Sequence, residues 1–163
     1  MQDIHIRQVT MADLDRCFEI ETSGYGGDEA ASREKIARRI QAYPQGFIVL
    51  EAGGKLVGFI NSGATDKVQL SDEAFKELIG HDPNGKQVVI MSVVVDPEFQ
   101  GHGYAKALMR EFIQQMKAMN RTSIYLICQT RLIPFYQGFG YQDLGPSDSD
   151  HGGLSWQEMR LVL

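Results

Sequence analysis

The chain has 163 residues, 43% of them hydrophobic and 23% charged, with 16 Lys plus Arg against 21 Asp plus Glu and a formal net charge of -5. That is the size of one ordinary domain, long enough to bury a core without disulfides or metal, and the composition is globular rather than disordered. The acidic balance weighs against a nucleic-acid partner, and no apolar run nears the roughly 20 residues of a membrane helix.

Ile4 and Ile6, with a polar residue between them, predict a first strand. Thr10-Met11-Ala12-Asp13 has the form of a capping box, and Leu14, Cys17, Phe18 and Glu21 follow on one helical face. Ser23-Gly24-Tyr25-Gly26-Gly27 is a flexible break. Ser32 caps a second helix whose Ile36, Ala37 and Ile40 share a face. Arg33, Lys35, Arg38 and Arg39 there form the one concentrated basic stretch, expected as a solvated face. Phe47–Leu50 and Leu56–Ile60 flank Gly53-Gly54, which predicts a hairpin. A short helix is expected from Ser71, with Phe75, Leu78 and Ile79 on one face, closed by the loop His81-Asp82-Pro83-Asn84-Gly85.

Val88–Val95 is nearly continuous and β-branched, as suits a strand covered on both faces, and Asp96-Pro97 stops it. From Gly103 to about Met119, Ala105, Leu108, Met109, Phe112, Ile113 and Met116 recur at helical spacing. The strand Ile124–Cys128 then completes a βαβ unit with parallel strands and a right-handed crossover. A helix over Leu132–Gly138 and strands near Tyr141–Leu144 and Leu154–Leu163 finish the chain. The order predicts an α/β fold, a single domain over 1–163, with a mixed, mostly antiparallel sheet of about seven strands and helices on both faces.

Cys17 and Cys128 lie far apart without CxxC spacing. With no secretory leader read at the N-terminus, a reduced, cytoplasmic setting is expected. Cys128 reads as a buried strand thiol, with a nucleophile as the weaker reading. His5, His81, His102 and His151 are scattered, so no metal site is expected.

Chemistry concentrates in Gln100-Gly101-His102-Gly103-Tyr104-Ala105, between the central strand and the long helix. A helix N-terminus offers unpaired N–H groups and the positive end of its dipole, and glycines let a phosphate approach the backbone. The stretch lacks both GxxxxGK[ST] and GxGxxG with a following acid, so neither nucleotide-loop type fits.

With Asp96-Pro97 before it and Pro134–Tyr141 after the next strand, this turn resembles the GCN5-related N-acetyltransferase (GNAT) superfamily, whose turn pattern is met by Gln100, Gly103 and Ala105. Cys128, Leu132–Gln137, Phe139-Gly140-Tyr141, Gly145-Pro146-Ser147 and Leu154–Met159 look, within it, like the serotonin and arylalkylamine group. So do Phe18–Glu21 and the stretch Leu70–Gly85, with its Leu70, Glu73, His81, Pro83 and Gly85. The resemblance implies the GNAT-like version of the predicted sheet and acetyl-coenzyme A as co-substrate, without a metal. Val93 and Val95 would pair with the pantetheine arm, and Gln100, Gly101, Gly103, Ala105 and Lys106 would surround the pyrophosphate. Tyr136 reads as core by spacing, and the resemblance makes it the acid that protonates the departing thiolate.

The serotonin enzymes carry two histidines on the central strand as proton-relaying bases; the matching positions here are Val89 and Met91. Glu21 is the first substitute for the base, with Ser92 and His81 behind it, although the plain reading of Glu21 is a solvated helix carboxylate. His102 reads as an exposed turn residue. Phe47, Phe59 and Tyr25 can line an amine pocket but read more simply as core. The expected activity is acetyl transfer to the primary amine of a small, arylalkylamine-like molecule by direct attack in a ternary complex. The expected partners are that amine and acetyl-coenzyme A, with no nucleic acid and no membrane, and a homodimer is admitted. Acetylation of a peptide or protein amino group, and a non-catalytic coenzyme A-binding module, are the alternatives.

Overall fold

The computed structural model describes residues 3–25, 30–68, 78, 80–148 and 155–163. Gly26, Gly27, the predicted helix from Ser71 with Phe75 and Ile79, most of the Leu70–Gly85 stretch, His151 and Leu154 lie outside the described residues. Seven strands make one sheet in the order β1-β2-β3-β4-β5-β7-β6. They are β1 Ile4–Gln8, β2 Ile48–Ala52, β3 Lys55–Thr65, β4 Gln87–Val95, β5 Ser123–Cys128, β6 Gln142–Pro146 and β7 Gln157–Val162. Every pairing is antiparallel except β4 with β5. The expected mixed, mostly antiparallel sheet is therefore present. The two closing strands begin one to three residues later than predicted.

Among the described residues four α-helices cover the sheet: α1 Leu14–Gly24, α2 Arg33–Ala42, α3 Tyr104–Ala118 and α4 Ile133–Gln137. At the start of the chain, Thr10 N–H donates to Asp13 Oδ2 at 2.8 Å, closing the predicted capping box. Asp13 also takes both guanidinium nitrogens of Arg7 at 2.8 and 2.9 Å, which holds its carboxyl below the usual range against the opposing pull of burial. Ser32 Oγ caps α2 by accepting from Lys35 N–H at 3.2 Å.

The strands feed two cores, one on each face. Ile48, Leu50 and Ala52 pack with Leu108, Met109, Phe112 and Met116 of α3. Phe47 and Val49 turn the other way, toward Leu14, Cys17 and Ile20 of α1 and Ile36 and Ile40 of α2. This alternation is the two-residue period of a strand covered on both sides. The basic stretch on α2 departs from the prediction. Arg39 is 3% exposed. It lies on the same face as Ile36 and Ile40, so the helical period that buries those residues carries Arg39 inward with them.

One irregularity in β4 shapes everything that follows. Asn61 of β3 faces Ser92, but Ser62 faces Ile90, so Met91 is an extra residue without a partner. A bulge of this kind switches the facing of the strand beyond it. Val88 and Ile90 belong to the α3 core, whereas Val94 belongs to the α1–α2 core. β4 pairs with β5 only over Gln87–Val89 and Ser123–Tyr125. Past that point the two strands separate.

Candidate active site

The separation of β4 from β5 opens a cleft of about 560 Å³. Val93 and Val95 form its β4 wall, and Gln100, Gly101 and Gly103 of the following turn close one end. Ala105 and Lys106 of α3 continue that end, while Cys128 of β5 and Tyr136 of α4 form the facing wall. Tyr25, from the end of α1, Arg131, Phe135 and Trp156, just before β7, also line it.

The turn is built by local hydrogen bonds. Asp96 Oδ1 accepts from Glu98 N–H at 3.0 Å, and its Oδ2 accepts from Arg16 at 2.7 Å. Burial pushes the Asp96 carboxyl up, but Arg16 and the Glu98 N–H outweigh it and leave it lowered. Gln100 Nε2 reaches back to the Val95 carbonyl at 3.3 Å. Gly101 and Gly103 have φ of +85° and +80°, the left-handed region in which a side chain is strained. That geometry aims α3 into the cleft. Ala107 N–H is the first of this helix to find an intrahelical acceptor, the Gly103 carbonyl at 3.1 Å. Tyr104, Ala105 and Lys106 precede it in the first turn, which carries no acidic residue. Their N–H groups, the helix dipole and Lys106 together favour an anion. His102 is exposed and stacks on Tyr104, with ring centroids 5.4 Å apart.

On the facing wall Tyr136 is 5% exposed and meets Phe135 and Tyr141 edge-on at 5.1 and 5.6 Å. Burial, with Cys128 adding to it, holds its phenol well above the ordinary value, so it keeps its proton at neutral pH. Burial likewise pushes the Cys128 thiol up to about 11, with Asp143 adding to the effect. A thiol held protonated is a poor nucleophile.

Tyr25 makes a contact that the sequence does not reveal. Its hydroxyl donates to the Val93 carbonyl at 2.8 Å and accepts from the Val93 N–H at 3.0 Å. Glu21, one turn earlier, is 1% exposed rather than solvated. Its Oε2 accepts from Ala31 N–H at 2.9 Å, and its carboxylate does not line the cleft. Arg39 lies in the same buried region, with Nη1 at 3.5 Å from both Asn61 Oδ1 and Ser92 Oγ. Burial lowers its guanidinium pKa, and the charges of Glu21 and Tyr25 oppose that lowering. Ser92 is thus part of a buried polar cluster beside the bulge. His81 accepts from Ala64 N–H toward the far end of β3 and meets the Tyr43 ring at a tilt of 53°. Phe47 and Phe59 pack on each other at 5.3 Å inside the α1–α2 core, away from the cleft. Val89 and Met91 are half-buried and lie outside the cleft lining.

Of the residues singled out from sequence, Tyr25, Val93, Val95, Gln100, Gly101, Gly103, Ala105, Lys106, Cys128 and Tyr136 are gathered around one cleft, and Glu21 is not among its lining residues. Sequence reasoning missed Trp156, Arg131 and the bond between Tyr25 and Val93. The only signal for Tyr25 was an aromatic residue inside a glycine-rich break. Among the described residues no group of three or more His, Cys, Asp or Glu is placed to hold a metal, and no helix is long and apolar enough to cross a membrane.

Comparisons with known proteins bear on the family and the fold. The chain is 27% identical over 163 residues to serotonin N-acetyltransferase of Mesocricetus auratus, covering 96% of this chain and 76% of that protein. The GNAT-like decarboxylase GphF, solved in complex with isobutyryl-CoA, superposes with a TM-score of 0.85 at 19% identity, covering 97% of this chain and 98% of that one. The ribosomal-protein-S18-alanine N-acetyltransferase of Escherichia coli superposes with a TM-score of 0.71 at 18% identity, covering 98% and 94%. The sequence profile of the Acetyltransferase (GNAT) family matches residues 11–141. The chain belongs to that family and is an N-acetyltransferase that uses acetyl-coenzyme A.

Proposed function

We propose that this cleft holds acetyl-coenzyme A and that the chain transfers the acetyl group to the primary amine of a small, arylalkylamine-like molecule. The observation that carries the reading is the parting of β4 from β5 beyond Val89, at whose far end the N-terminus of α3 points inward. An extended pantetheine arm fits between the strands as an added strand fits an open edge, with Val93 and Val95 as its partners. The turn Gln100–Gly103 with Ala105 and Lys106 suits the pyrophosphate.

In the reaction the amine nitrogen bonds to the thioester carbon, the C–S bond breaks and the amine gives up a proton. Val93 N–H donates to the oxygen that gains charge. Tyr136, which holds its proton at neutral pH, passes it to the departing thiolate and recovers one from solvent. Glu21 is too buried to meet the amine and serves instead to anchor the end of α1 to Ala31. A Lys-like ammonium, with a pKa of about 10.4, releases one proton to solvent before the attack, and the second proton of the nitrogen goes to solvent once the C–N bond has formed. Tyr25, Phe135 and Trp156 give the cleft lining an aromatic character that favours an aromatic amine. The test is release of coenzyme A thiol from acetyl-coenzyme A across arylalkylamines, polyamines, amino acids and basic peptides. Fastest turnover on the arylalkylamines is expected. Turnover on basic peptides alone moves the substrate to a protein amino group, and binding without turnover on any amine makes the chain a binding module.

A further inference from the structure

The hydroxyl of Tyr25 occupies both backbone groups of Val93 at once, donating to its carbonyl at 2.8 Å and accepting from its N–H at 3.0 Å. An extended ligand that adds itself to β4 needs those same two groups, one as acceptor for its amide and one as donor to its carbonyl. No other described strand offers Val93 a partner on this side, because β5 leaves β4 after Val89. In the apolar wall of a cleft, an unpaired N–H and C=O would each be costly. The phenol hydroxyl is a group that can satisfy both with one atom.

We propose that Tyr25 sets the affinity for the acyl donor by acting as a built-in stand-in for it. Its hydroxyl seals Val93 in the free protein and surrenders both groups when the thioester arm enters. The inference rests on the reading of the cleft as the acetyl-coenzyme A site. Release does not require α1 to move. Tyr25 N–H donates to the Glu21 carbonyl at 3.0 Å, Tyr25 itself is extended with φ -114° and ψ 136°, and Gly24 is seated against Val94. These contacts hold the end of α1 against β4, so the release proposed is a rotation of the Tyr25 side chain about χ1. Because Tyr25 lines the cleft, its displacement by the donor also alters the wall that the amine meets. The competition has a cost in affinity. The apparent dissociation constant for the donor is the intrinsic one divided by the fraction of molecules in which Val93 is open.

Two measurements on the full chain test this. Titration calorimetry with acetyl-coenzyme A, in the absence of amine, compares wild type with Tyr25→Phe and Tyr25→Ala. Loss of the hydroxyl should tighten binding about tenfold, the scale of one to two net hydrogen bonds. Amide exchange at Val93 gives a second readout. In the free wild type the Val93 amide should be protected, in free Tyr25→Phe it should exchange faster, and acetyl-coenzyme A should restore protection in both. Unchanged or weaker affinity in folded Tyr25→Phe, or an equally protected Val93 amide, overturns the stand-in role while leaving the donor site intact. Absence of acetyl-coenzyme A binding in all three proteins overturns the reading of the cleft itself, and the stand-in with it. Should both variants fail to fold, wild type alone decides. Addition of acetyl-coenzyme A must shift the ring resonances of Tyr25, and unmoved resonances in a saturated protein overturn the proposal.

Discussion

Gly24 of α1 and Val94 of β4 touch so closely that a Cβ built on Gly24 would lie 2.2 Å from Val94 Cγ2. Val94 is buried in the α1–α2 core, so turning its stiff χ1 to withdraw that methyl would press on the residues around it. Gly24→Ala should therefore push the end of α1 off β4 and cost about 1–3 kcal/mol, the range for overpacking. Urea denaturation measures the loss. Because Tyr25 follows directly, the same variant should also raise amide exchange at Val93. A variant as stable as wild type would mean that α1 and β4 are not in this contact.

Tyr136→Phe keeps the ring that packs edge-on against Phe135 and Tyr141 and removes only the hydroxyl. Turnover should fall tenfold or more, with the dissociation constant for acetyl-coenzyme A within about twofold of wild type, as expected when an interaction made only in the transition state is lost. Unchanged turnover would return Tyr136 to a packing role.

Burial holds the Cys128 thiol near 11, so at pH 7.5 almost no thiolate is present. Cys128→Ser should keep more than about half of the activity, and the wild-type thiol should react slowly with iodoacetamide unless the chain is unfolded. A variant without activity would reopen a covalent acetyl-cysteine route.

His81 Nδ1 accepts the Ala64 N–H at 2.9 Å, which requires that nitrogen to be unprotonated. Burial lowers its pKa from 6.5 and Arg121 adds to the lowering, while Asp82 pulls the other way. The folded pKa thus lies below the unfolded one. Below 6.5 the unfolded chain takes up a proton that the folded chain resists, so stability contributed by His81 is complete above about pH 6.5 and falls as pH drops through the folded value. The urea midpoint of wild type should decline between pH 7 and pH 5. In His81→Gln, whose amide oxygen can still accept from Ala64, that part of the decline should vanish. Equal slopes in the two proteins would rule out this contribution.

The parts of the fold written in local patterns were legible from sequence. Gly53-Gly54 between two β-prone runs marked the hairpin, and the spacing of Leu108, Met109, Phe112 and Met116 marked α3. The residues around Gln100–Lys106 fell together because they are adjacent in the chain. What stayed hidden depends on phase and distance. An unbroken run from Val88 to Val95 carries no mark of the extra residue at Met91, since every position is apolar or small and no alternation exists to be interrupted. Arg39 was placed outside because charge outweighed helical phase, and Glu21 for the same reason; each buried charge is matched by polar groups from another element. Tyr25 meets Val93 across 68 positions of sequence, beyond the reach of any spacing rule.

The bulge at Met91 also bears on how the molecule comes apart. Three ladder positions, Gln87, Val88 and Val89 against Ser123, Ile124 and Tyr125, join the block β1–β4 to the block β5–β7. Each block is stitched internally by longer antiparallel ladders. The seam that admits a ligand is therefore also the line along which the sheet is most weakly sewn. Anything lying in it and bonding to both sides would act as an eighth strand that ties the two blocks into one cooperative unit.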